Sequence, residues 1–189
     1  MKHIGTQEMT TYRLRLRRFT IEDAAAMYQN WASDPQVTQY LTWPPHRSVS
    51  QTEQLLCMWV MQYAKSETYR WCIADKRTNE PIGCIDAVGQ DDKNLRATIG
   101  YCMAHRLWSH GLMTEALIAV EDFLFAKVGY NRIDAYHNIR NPASGKVMQK
   151  SGMQREGVLR QFLLNRQGHP VDVVLWSILR SEWQAMDRG

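Results

Sequence analysis

The residues around Gly111 have the arrangement of a phosphate-binding turn. A strand-like run over residues 97–103 precedes this glycine, and an apolar pattern typical of a helix follows it from about Leu117. The first N–H groups of a helix have no partner within the helix, and that end of the helix dipole is positive, so the turn could hold an anion. Gly111 would let the backbone approach such an anion closely, although a plain tight turn before a core helix would have the same pattern.

The spacing at this turn differs from that of the two best-known phosphate loops. The chain has neither Gly-x-x-x-x-Gly-Lys-Ser/Thr nor Gly-x-Gly-x-x-Gly there. A second polar segment, residues 138–153, contains Asn-x-x-Asn-x-x-Ser, a short lysine-containing run and Gly-Met, and Glu156-Gly157 follows it. The spacing at the Gly111 turn therefore implies a different phosphate ligand.

These two segments, in this order and at this spacing, resemble the GNAT acetyltransferase superfamily. The closest resemblance is to its Rim-type branch, the ribosomal-protein N-terminal acetyltransferases and their relatives. The usual acyl-CoA loop of the superfamily reads Gln/Arg-x-x-Gly-x-Gly/Ala, which Gly111 fits and from which Trp108 and Met113 depart. Residues 138–157 match the branch at each motif position, and the resemblance covers about residues 10–184.

The resemblance implies acetyl-CoA as co-substrate, bound where the fourth and fifth strands, about residues 95–103 and 132–138, splay apart. The open edge of the fourth strand would pair with the pantetheine amides, and an N–H near Met103 would face the thioester oxygen. The turn at 109–114 would hold the pyrophosphate. The acetyl-CoA-binding residues implied are Tyr101, Cys102, Met103, Ser109, His110, Gly111, Leu112, Met113, Thr114, Asn138 and Asn141.

Two side chains are candidates for the catalytic steps. Many GNAT enzymes protonate the leaving thiolate with a tyrosine on the fourth helix, but Met148 stands at that position here. In the Rim-type branch a serine approaches the sulfur instead, and the matching residue is Ser144, which could also be a structural first-turn serine. Tyr136 stands where some relatives have a glutamate. The residues left open as general base are Tyr136, His137, Asp86, Glu156 and Asp172.

The lack of an obvious base favours an acceptor of low basicity. A protein α-amine has a pKa of about 7.7–8.0, against about 10.4 for lysine, so more of it is neutral at pH 7. Together with the Rim-type resemblance, this predicts acetylation of a protein or peptide N-terminus. A small amine, such as an aminoglycoside, polyamine or amino acid, is the alternative, because one fold serves all of these acceptors. A non-catalytic acyl-CoA-binding module is a further alternative, since Trp108, Met113 and Met148 depart from the usual pattern.

Composition sets further expectations. The chain has 189 residues, 44% of them hydrophobic and 22% charged, with a net charge of +4, which predicts one globular domain over 1–189 with its core at about 10–184. It has no signal-peptide pattern and no membrane-length apolar run, so a cytoplasmic protein without a membrane partner is expected. The four cysteines predict buried free thiols and no metal site. Arg13, Arg15 and Arg17 alternate with leucines, which favours a solvated strand face over nucleic-acid binding. We expect the protein to be a monomer or a homodimer.

Alternation and capping patterns predict a mixed α/β fold. The predicted strands are 12–19, 69–75, 81–88, 95–103, 132–138, about 154–164 and about 171–179. Two helices are predicted to follow the capping boxes at Thr20–Asp23 and Ser50–Glu53. Two more are predicted over about 109–128 and 142–151, the latter with Asn141 as its N-cap. In the terms of the resemblance, this is a GNAT-like, mostly antiparallel sheet of about seven strands, with helices on both faces and a splay between strands four and five.

Overall fold

The computed structural model describes residues 1–186, so the last three residues of the predicted 1–189 domain lie outside the described residues. The strands are β1 (Met9–Thr10), β2 (Leu14–Arg17), β3 (Arg70–Asp75), β4 (Pro81–Asp91), β5 (Arg96–Met103), β6 (Arg132–Asn138), β7 (Gln154–Leu164) and β8 (Pro170–Leu179). The helices are α1 (Ala24–Met27), α2 (Val49–Gln62), α3 (Leu112–Phe123), α4 (Pro142–Ser151) and α5 (Arg180–Ala185). Within residues 1–186, no helix has the length and apolarity needed to cross a membrane.

The strands form one sheet in the order β1-β2-β3-β4-β5-β6-β8-β7. Only the β5–β6 pair is parallel, and the other neighbouring strands of the described sheet are antiparallel. The predicted mixed, mostly antiparallel sheet is confirmed, with eight strands where about seven were expected. The additional strand is β1, whose two residues pair with β2 and are too few to show alternation in the sequence.

Helices cover both faces of the sheet, as predicted. On one face Trp31, after α1, and Leu56 of α2 pack in a cluster with Cys72 of β3. On the other face Trp71 of β3 packs in a cluster with Leu117 of α3. Neighbouring residues of β3 therefore point to opposite faces, as the pleat of a strand requires.

The sheet opens between β5 and β6. The two strands pair only from Arg96↔Arg132 to Thr98↔Asp134, although β5 continues to Met103 and β6 to Asn138. From Ile99 onward β5 pairs with β4 alone, and its other edge is open. The splay predicted between these two strands is confirmed.

Two helices begin elsewhere than the sequence predicts. The helix expected from about Ser109 begins at Leu112, because Ser109 and Gly111 have φ of +66° and +76°, which no helical residue adopts. The second helix is capped by Ser48, whose hydroxyl accepts a backbone N–H, rather than by the box expected at Ser50. Ser48 and Ser50 are near neighbours in the sequence and could each cap the helix. The path of the chain before the helix selects Ser48.

The strand predicted at 12–19 corresponds to β2. It is shorter than predicted, but its side chains lie on the predicted faces. It extends over Leu14–Arg17 instead of 12–19, with both leucines buried. Arg15 pairs with Glu8 at 2.7 Å and Arg17 with Asp23 at 2.8 Å. Asp23 also closes the capping box predicted at Thr20, since its carboxylate accepts the Thr20 N–H at 2.9 Å. The arginines of this strand are thus held in ion pairs of the fold.

Candidate functional site

A cleft of about 1590 Å³ occupies the opening between β5 and β6. Its walls are the free edge of β5, the N-terminal ends of α3 and α4, and the segment between α1 and α2. The predicted catalytic and acetyl-CoA-binding residues that line it are Tyr101, Cys102, Met103, Ser109, Gly111, Leu112, Met113, Thr114, Tyr136, Asn138, Asn141 and Ser144. His110 is the exception, because its ring Nδ1 donates to the Trp108 carbonyl at 2.8 Å beside the turn; a contact through its backbone stays a prediction.

The turn before α3 has a geometry suited to an anion. Gly111 is the N-cap, with φ of +76° and no side chain to cover the first N–H groups of the helix. A Cβ at this position would come within 4 Å of only one described side-chain atom, Arg13 Nη2, at 3.6 Å. The first turn of α3 therefore meets the cleft with unpartnered donors and the positive end of its dipole, which suits a phosphate.

Arg13, which directly precedes β2, holds this turn in place. Its Nη1 donates to the His110 carbonyl at 2.9 Å, and its Nε donates to Glu115 of α3 at 2.7 Å. Glu115 also accepts the Arg13 backbone N–H at 2.8 Å and the Thr11 hydroxyl at 2.6 Å. The sequence predicted only a solvated face for Arg13, because no pattern in the chain signals a contact between residues so far apart.

The open edge of β5 presents backbone groups to the cleft. Ala104 N–H donates to Ile82 of β4 at 2.9 Å, so by alternation the N–H groups of Met103 and Tyr101 point to the open side. The Met103 carbonyl is already engaged, since Trp108 Nε1 donates to it at 2.9 Å. Trp108, which departs from the usual loop pattern, thus joins the end of β5 to the turn and leaves the Met103 N–H available.

The Asn-x-x-Asn-x-x-Ser segment folds into a turn and a helix cap. Asn138 Oδ1 accepts the Arg140 N–H at 2.9 Å, which closes the turn after β6. Asn141 is the N-cap of α4 and accepts the Ser144 N–H at 3.4 Å, as predicted. The two asparagines therefore fix the position of Ser144 at the first turn of α4, inside the cleft wall.

Ser144 shares a hydrogen bond with Tyr101. The two side-chain oxygens are 2.8 Å apart, and the Tyr101 hydroxyl also donates to the Ser144 carbonyl at 3.0 Å. Burial raises the pKa of Tyr101 despite the hydrogen bond with Ser144, so the phenol keeps its proton at neutral pH. The sequence predicted a role for the Tyr101 backbone only. The role of its side chain was not predicted, because Tyr101 and Ser144 are 43 positions apart in the chain.

The neighbouring residues Tyr136 and His137 are both tied into the wall of the cleft. The Tyr136 ring packs edge-on against Phe162 at 5.3 Å. Burial and the nearby Asp134 raise the pKa of Tyr136, so this phenol is protonated and not a base at neutral pH. His137 Nδ1 donates to the Asn138 carbonyl at 2.8 Å, and burial lowers the pKa of its ring.

His137 also explains a glycine inside α4. A Cβ at Gly145 would lie 2.6 Å from His137 Nε2, closer than real contacts allow. Gly145 follows Ser144 directly, so the close approach of the imidazole to the helix sets how deeply Ser144 enters the cleft. Only a residue without a side chain permits this packing.

The half of the cleft toward α1 and α2 is rich in aromatic side chains. Trp43 and His46 lie in the segment before α2, with ring centroids 5.5 Å apart. His46 Nδ1 bonds Thr52 Oγ1 at 2.7 Å, and burial lowers the pKa of this ring. Arg166, in the β7–β8 turn, donates to Thr38 Oγ1 at 3.3 Å, so this turn reaches across to the opposite wall.

The residues left open as general base fall into two groups. Asp86, Tyr136, His137 and Asp172 line the cleft, whereas Glu156 does not. Glu156 accepts two hydrogen bonds from Arg132, at 2.6 and 2.8 Å, and the Arg132 guanidinium lowers the pKa of this carboxyl to about 2. Glu156 is therefore a poor proton acceptor outside the cleft.

Among residues 1–186, no group of three or more His, Cys, Asp or Glu side chains could hold a metal ion. The four cysteines are free thiols, and Cys72 and Cys84 are buried. Burial raises the pKa of both thiols, which keeps them protonated and unreactive.

The arrangement can bind an elongated anionic ligand and donate a proton at the ligand's far end. Phosphates fit the N-terminus of α3, and an extended amide-containing chain fits the free edge of β5. The hydroxyl pair of Tyr101 and Ser144 stands farther along the same cleft, where it could donate to a leaving group.

Comparison with known proteins agrees with this geometry. Residues 13–154 match the family described as the acetyltransferase (GNAT) domain. The protein named uncharacterized N-acetyltransferase p20 of Bacillus licheniformis is 33% identical over 177 residues, which covers 94% of this chain and 98% of that relative.

Solved structures share the fold. A GCN5-related N-acetyltransferase from Brucella melitensis aligns with a TM-score of 0.83 at 20% identity, covering 97% of this chain and 83% of that one. The ribosomal-protein-S5-alanine acetyltransferase from Vibrio fischeri aligns with a TM-score of 0.75 at 20% identity, covering 94% of this chain and 98% of that one. At this identity the likeness concerns the fold alone.

Proposed function

The chain belongs to the GNAT superfamily of N-acetyltransferases, and on that premise we propose that it transfers acetyl from acetyl-CoA to the α-amine of a protein or peptide N-terminus. The observation that carries the proposal is the opening between β5 and β6, with the Gly111 turn at its mouth. Family membership favours an enzyme over a non-catalytic acyl-CoA-binding module. The chemistry requires a held thioester, a neutral amine, a stabilised oxyanion and a protonated leaving thiolate.

Acetyl-CoA fits the described residues. The pyrophosphate would lie on the first N–H groups of α3, and the pantetheine amides would pair with the open edge of β5 between Tyr101 and Met103. The Met103 N–H, whose own carbonyl is engaged by Trp108, would face the thioester oxygen and stabilise its developing charge.

Ser144 would protonate the leaving sulfur. Met148, at the position of the usual tyrosine, is buried and has no proton to donate. Ser144 Oγ is 2.8 Å from the Tyr101 hydroxyl, and when Tyr101 donates to it the Ser144 proton is free to go to the sulfur. The phenol would therefore hold Ser144 Oγ in place as its proton leaves, and the proton lost by the acceptor nitrogen replaces that one overall.

An N-terminal α-amine is the acceptor that the remaining features support best. The Asn138–Ser144 segment matches the Rim-type pattern, and a fold neighbour from Vibrio fischeri bears the name of a ribosomal-protein acetyltransferase. Tyr136 and Glu156 are not bases at neutral pH, and an α-amine needs less help to lose its proton than a lysine side chain does. Such an acceptor also fits a cytoplasmic enzyme.

A small free amine is the second candidate. The acceptor would enter the aromatic half of the cleft toward α1 and α2, the acceptor half. The contact from Arg166 to Thr38 bridges the two walls of that half, which would narrow its entrance and favour a small acceptor. The rest of the site would be used in the same way.

Two peptides of one sequence would test the proposed acceptor. One has a free N-terminus and no lysine; the other has a blocked N-terminus and one internal lysine. With acetyl-CoA, we expect at least about tenfold higher kcat/KM for the free N-terminus, because its amine is more often neutral. Mass spectrometry locates the acetyl group, and free-thiol release gives the rate. Faster acetylation of the blocked peptide would contradict the proposal, and turnover of small amines alone would establish the second candidate.

A further inference from the structure

Asp86 places a carboxylate where the sheet opens. It is on β4 and faces Gly100 of β5, its cross-strand partner. Gly100 and Tyr136 are each two residues beyond the last β5–β6 pair, Thr98↔Asp134. Asp86, Gly100 and Tyr136 therefore lie at one level of the sheet, on either side of the start of the opening, and all three line the cleft.

The carboxylate lies on the face covered by α1 and α2. Cys84 and Cys102, which share its side of their strands by alternation, pack in or against the cluster of that face. Gly100 has no side chain beside it, and the position of its missing Cβ lies 2.8 Å from Val88 Cγ1 and 3.7 Å from Asp86 Oδ1, so Val88 and the carboxylate occupy this part of the wall. This is the face of the aromatic acceptor half, opposite the face from which Tyr101 and α4 pack.

Its two oxygens have different surroundings. Oδ2 accepts a hydrogen bond from Arg70 Nε at 3.1 Å. Arg70 is itself held, because its Nη1 donates to Gln62 at 2.7 Å and its guanidinium lies 4.3 Å from the centre of the Trp59 ring. Oδ1 accepts no hydrogen bond from any described residue, and the side chain is 16% exposed, toward the cleft.

The groups around Asp86 have opposing effects on its pKa. Arg70 faces it from β3, Cys102 from β5 and Cys84 from its own strand, and Tyr63, directly after α2, donates to the Arg70 carbonyl at 3.0 Å. Burial raises the pKa of Asp86, and Arg70 opposes that rise. Both cysteines and the tyrosine are neutral at pH 7, because burial raises their pKa values.

We propose that Asp86 is the catalytic base that takes the proton from the acceptor ammonium through Oδ1. The proposal rests on acetyl transfer to an amine and not on which amine is used. Arg70, Gln62 and Trp59 would act as positioning residues, since they hold Oδ2 and leave Oδ1 directed into the cleft.

The protons balance over the reaction. The ammonium gives one proton to Asp86 Oδ1, and the freed nitrogen lone pair forms a bond to the thioester carbon while the carbonyl π electrons move to oxygen. As these electrons return, the carbon–sulfur bond breaks and the sulfur takes its pair. The sulfur gains a proton from Ser144. The acceptor nitrogen loses its second proton, and overall this proton replaces the one that Ser144 gave up. Asp86 then releases its proton to solvent.

An Asp86→Asn variant tests the proposal by its pH profile, using whichever amine the enzyme turns over fastest. Wild-type kcat/KM should fall as the pH drops through the raised pKa of Asp86. The variant should lose about 100- to 1000-fold at pH 7. Its kcat/KM should then rise about tenfold per pH unit up to the pKa of the amine, since only neutral amine reacts. Calorimetric affinity for coenzyme A should be unchanged.

The matched control is Asp91→Asn, on the same strand. Asp91 is ion-paired with Arg96 at 3.5 Å and lies outside the cleft, so its loss should leave the profile unchanged. A wild-type profile in Asp86→Asn would overturn the proposal even if acetyl transfer proceeds. If that variant does not bind coenzyme A, Asp86→Glu decides: a retained low-pH limb supports the proposal, and a slope of one up to the amine pKa overturns it.

Discussion

The Tyr101 hydroxyl lies 2.8 Å from Ser144 Oγ and 3.0 Å from the Ser144 carbonyl oxygen. One phenol hydrogen serves two acceptors on the same residue, so two arrangements exist. When the phenol donates to the carbonyl, the serine proton is committed to the phenol oxygen. When the phenol donates to Oγ, the serine proton is free. The pair can therefore hold Ser144 in place and release its proton when a thiolate forms.

Ser144→Ala should lower turnover more than binding. If Ser144 acts only as the thiolate leaves, its removal lowers kcat with little change in the KM for acetyl-CoA. We expect a fall in kcat of about 10- to 1000-fold, within or just below the usual range for a positioned proton donor. Steady-state thiol release measures both constants. A wild-type kcat would remove Ser144 from the mechanism and leave water or Tyr136 as the proton source.

Tyr101→Phe should lower kcat about tenfold, because the phenylalanine leaves Ser144 without its 2.8 Å partner. The ring itself and the β5 backbone are kept, so the affinity for coenzyme A should stay the same. The double variant with Ser144→Ala is the control. If Tyr101 acts through Ser144, the tyrosine change costs nothing further in the alanine background. Additive losses would show that the two residues act separately.

Gly111→Asp should weaken coenzyme A binding by at least about tenfold, or ~1.4 kcal/mol. The substitution adds a negative charge and a side chain at the turn where the pyrophosphate is expected. Gly129→Asp, in the segment beyond the end of α3 and with φ of +96°, carries a similar backbone penalty outside the cleft. It should lower stability and leave the affinity unchanged. Equal affinities of Gly111→Asp and wild type in calorimetric titration would place the phosphates elsewhere.

Glu156→Gln should cost stability in a pH-dependent way. The Arg132 guanidinium, with burial opposing and Ser177 assisting, lowers the pKa of this carboxyl from 4.5 to about 2. Its stabilisation is therefore complete above pH 4.5 and is lost as the pH falls through about 2. The side chain is 38% exposed, so solvent screening limits the loss to about 1 kcal/mol at pH 7. Urea unfolding at several pH values would show the difference shrinking in acid, whereas a pH-independent difference would contradict this assignment.

Local patterns in the sequence predicted the parts of the fold that depend on near neighbours. Alternation placed Leu14 and Leu16 in the core, and the cap residues Asn141 and Thr20 begin helical segments as expected. The start of α3 was misplaced because an apolar helix pattern does not show that Ser109 adopts a positive φ. The two-residue β1 has no pattern to detect.

The site contacts that the sequence did not predict are all between distant residues. Tyr101 meets Ser144 and Arg13 meets Glu115 only because the sheet and the helices bring them together. Asp86 was one of five bases left open, and only the register of β4 with β5 places it at the opening. Spacing along the chain predicts which residues share a face, but the distances between elements depend on the assembled core.

A crystal structure with bound coenzyme A would show directly whether the opening between β5 and β6 is the thioester site. We predict the pyrophosphate on the N–H groups after Gly111, the pantetheine along the free edge of β5 from Tyr101 to Met103, and the sulfur within hydrogen-bond distance of Ser144 Oγ. Coenzyme A bound outside this opening, or in it with the sulfur far from Ser144, would contradict the account.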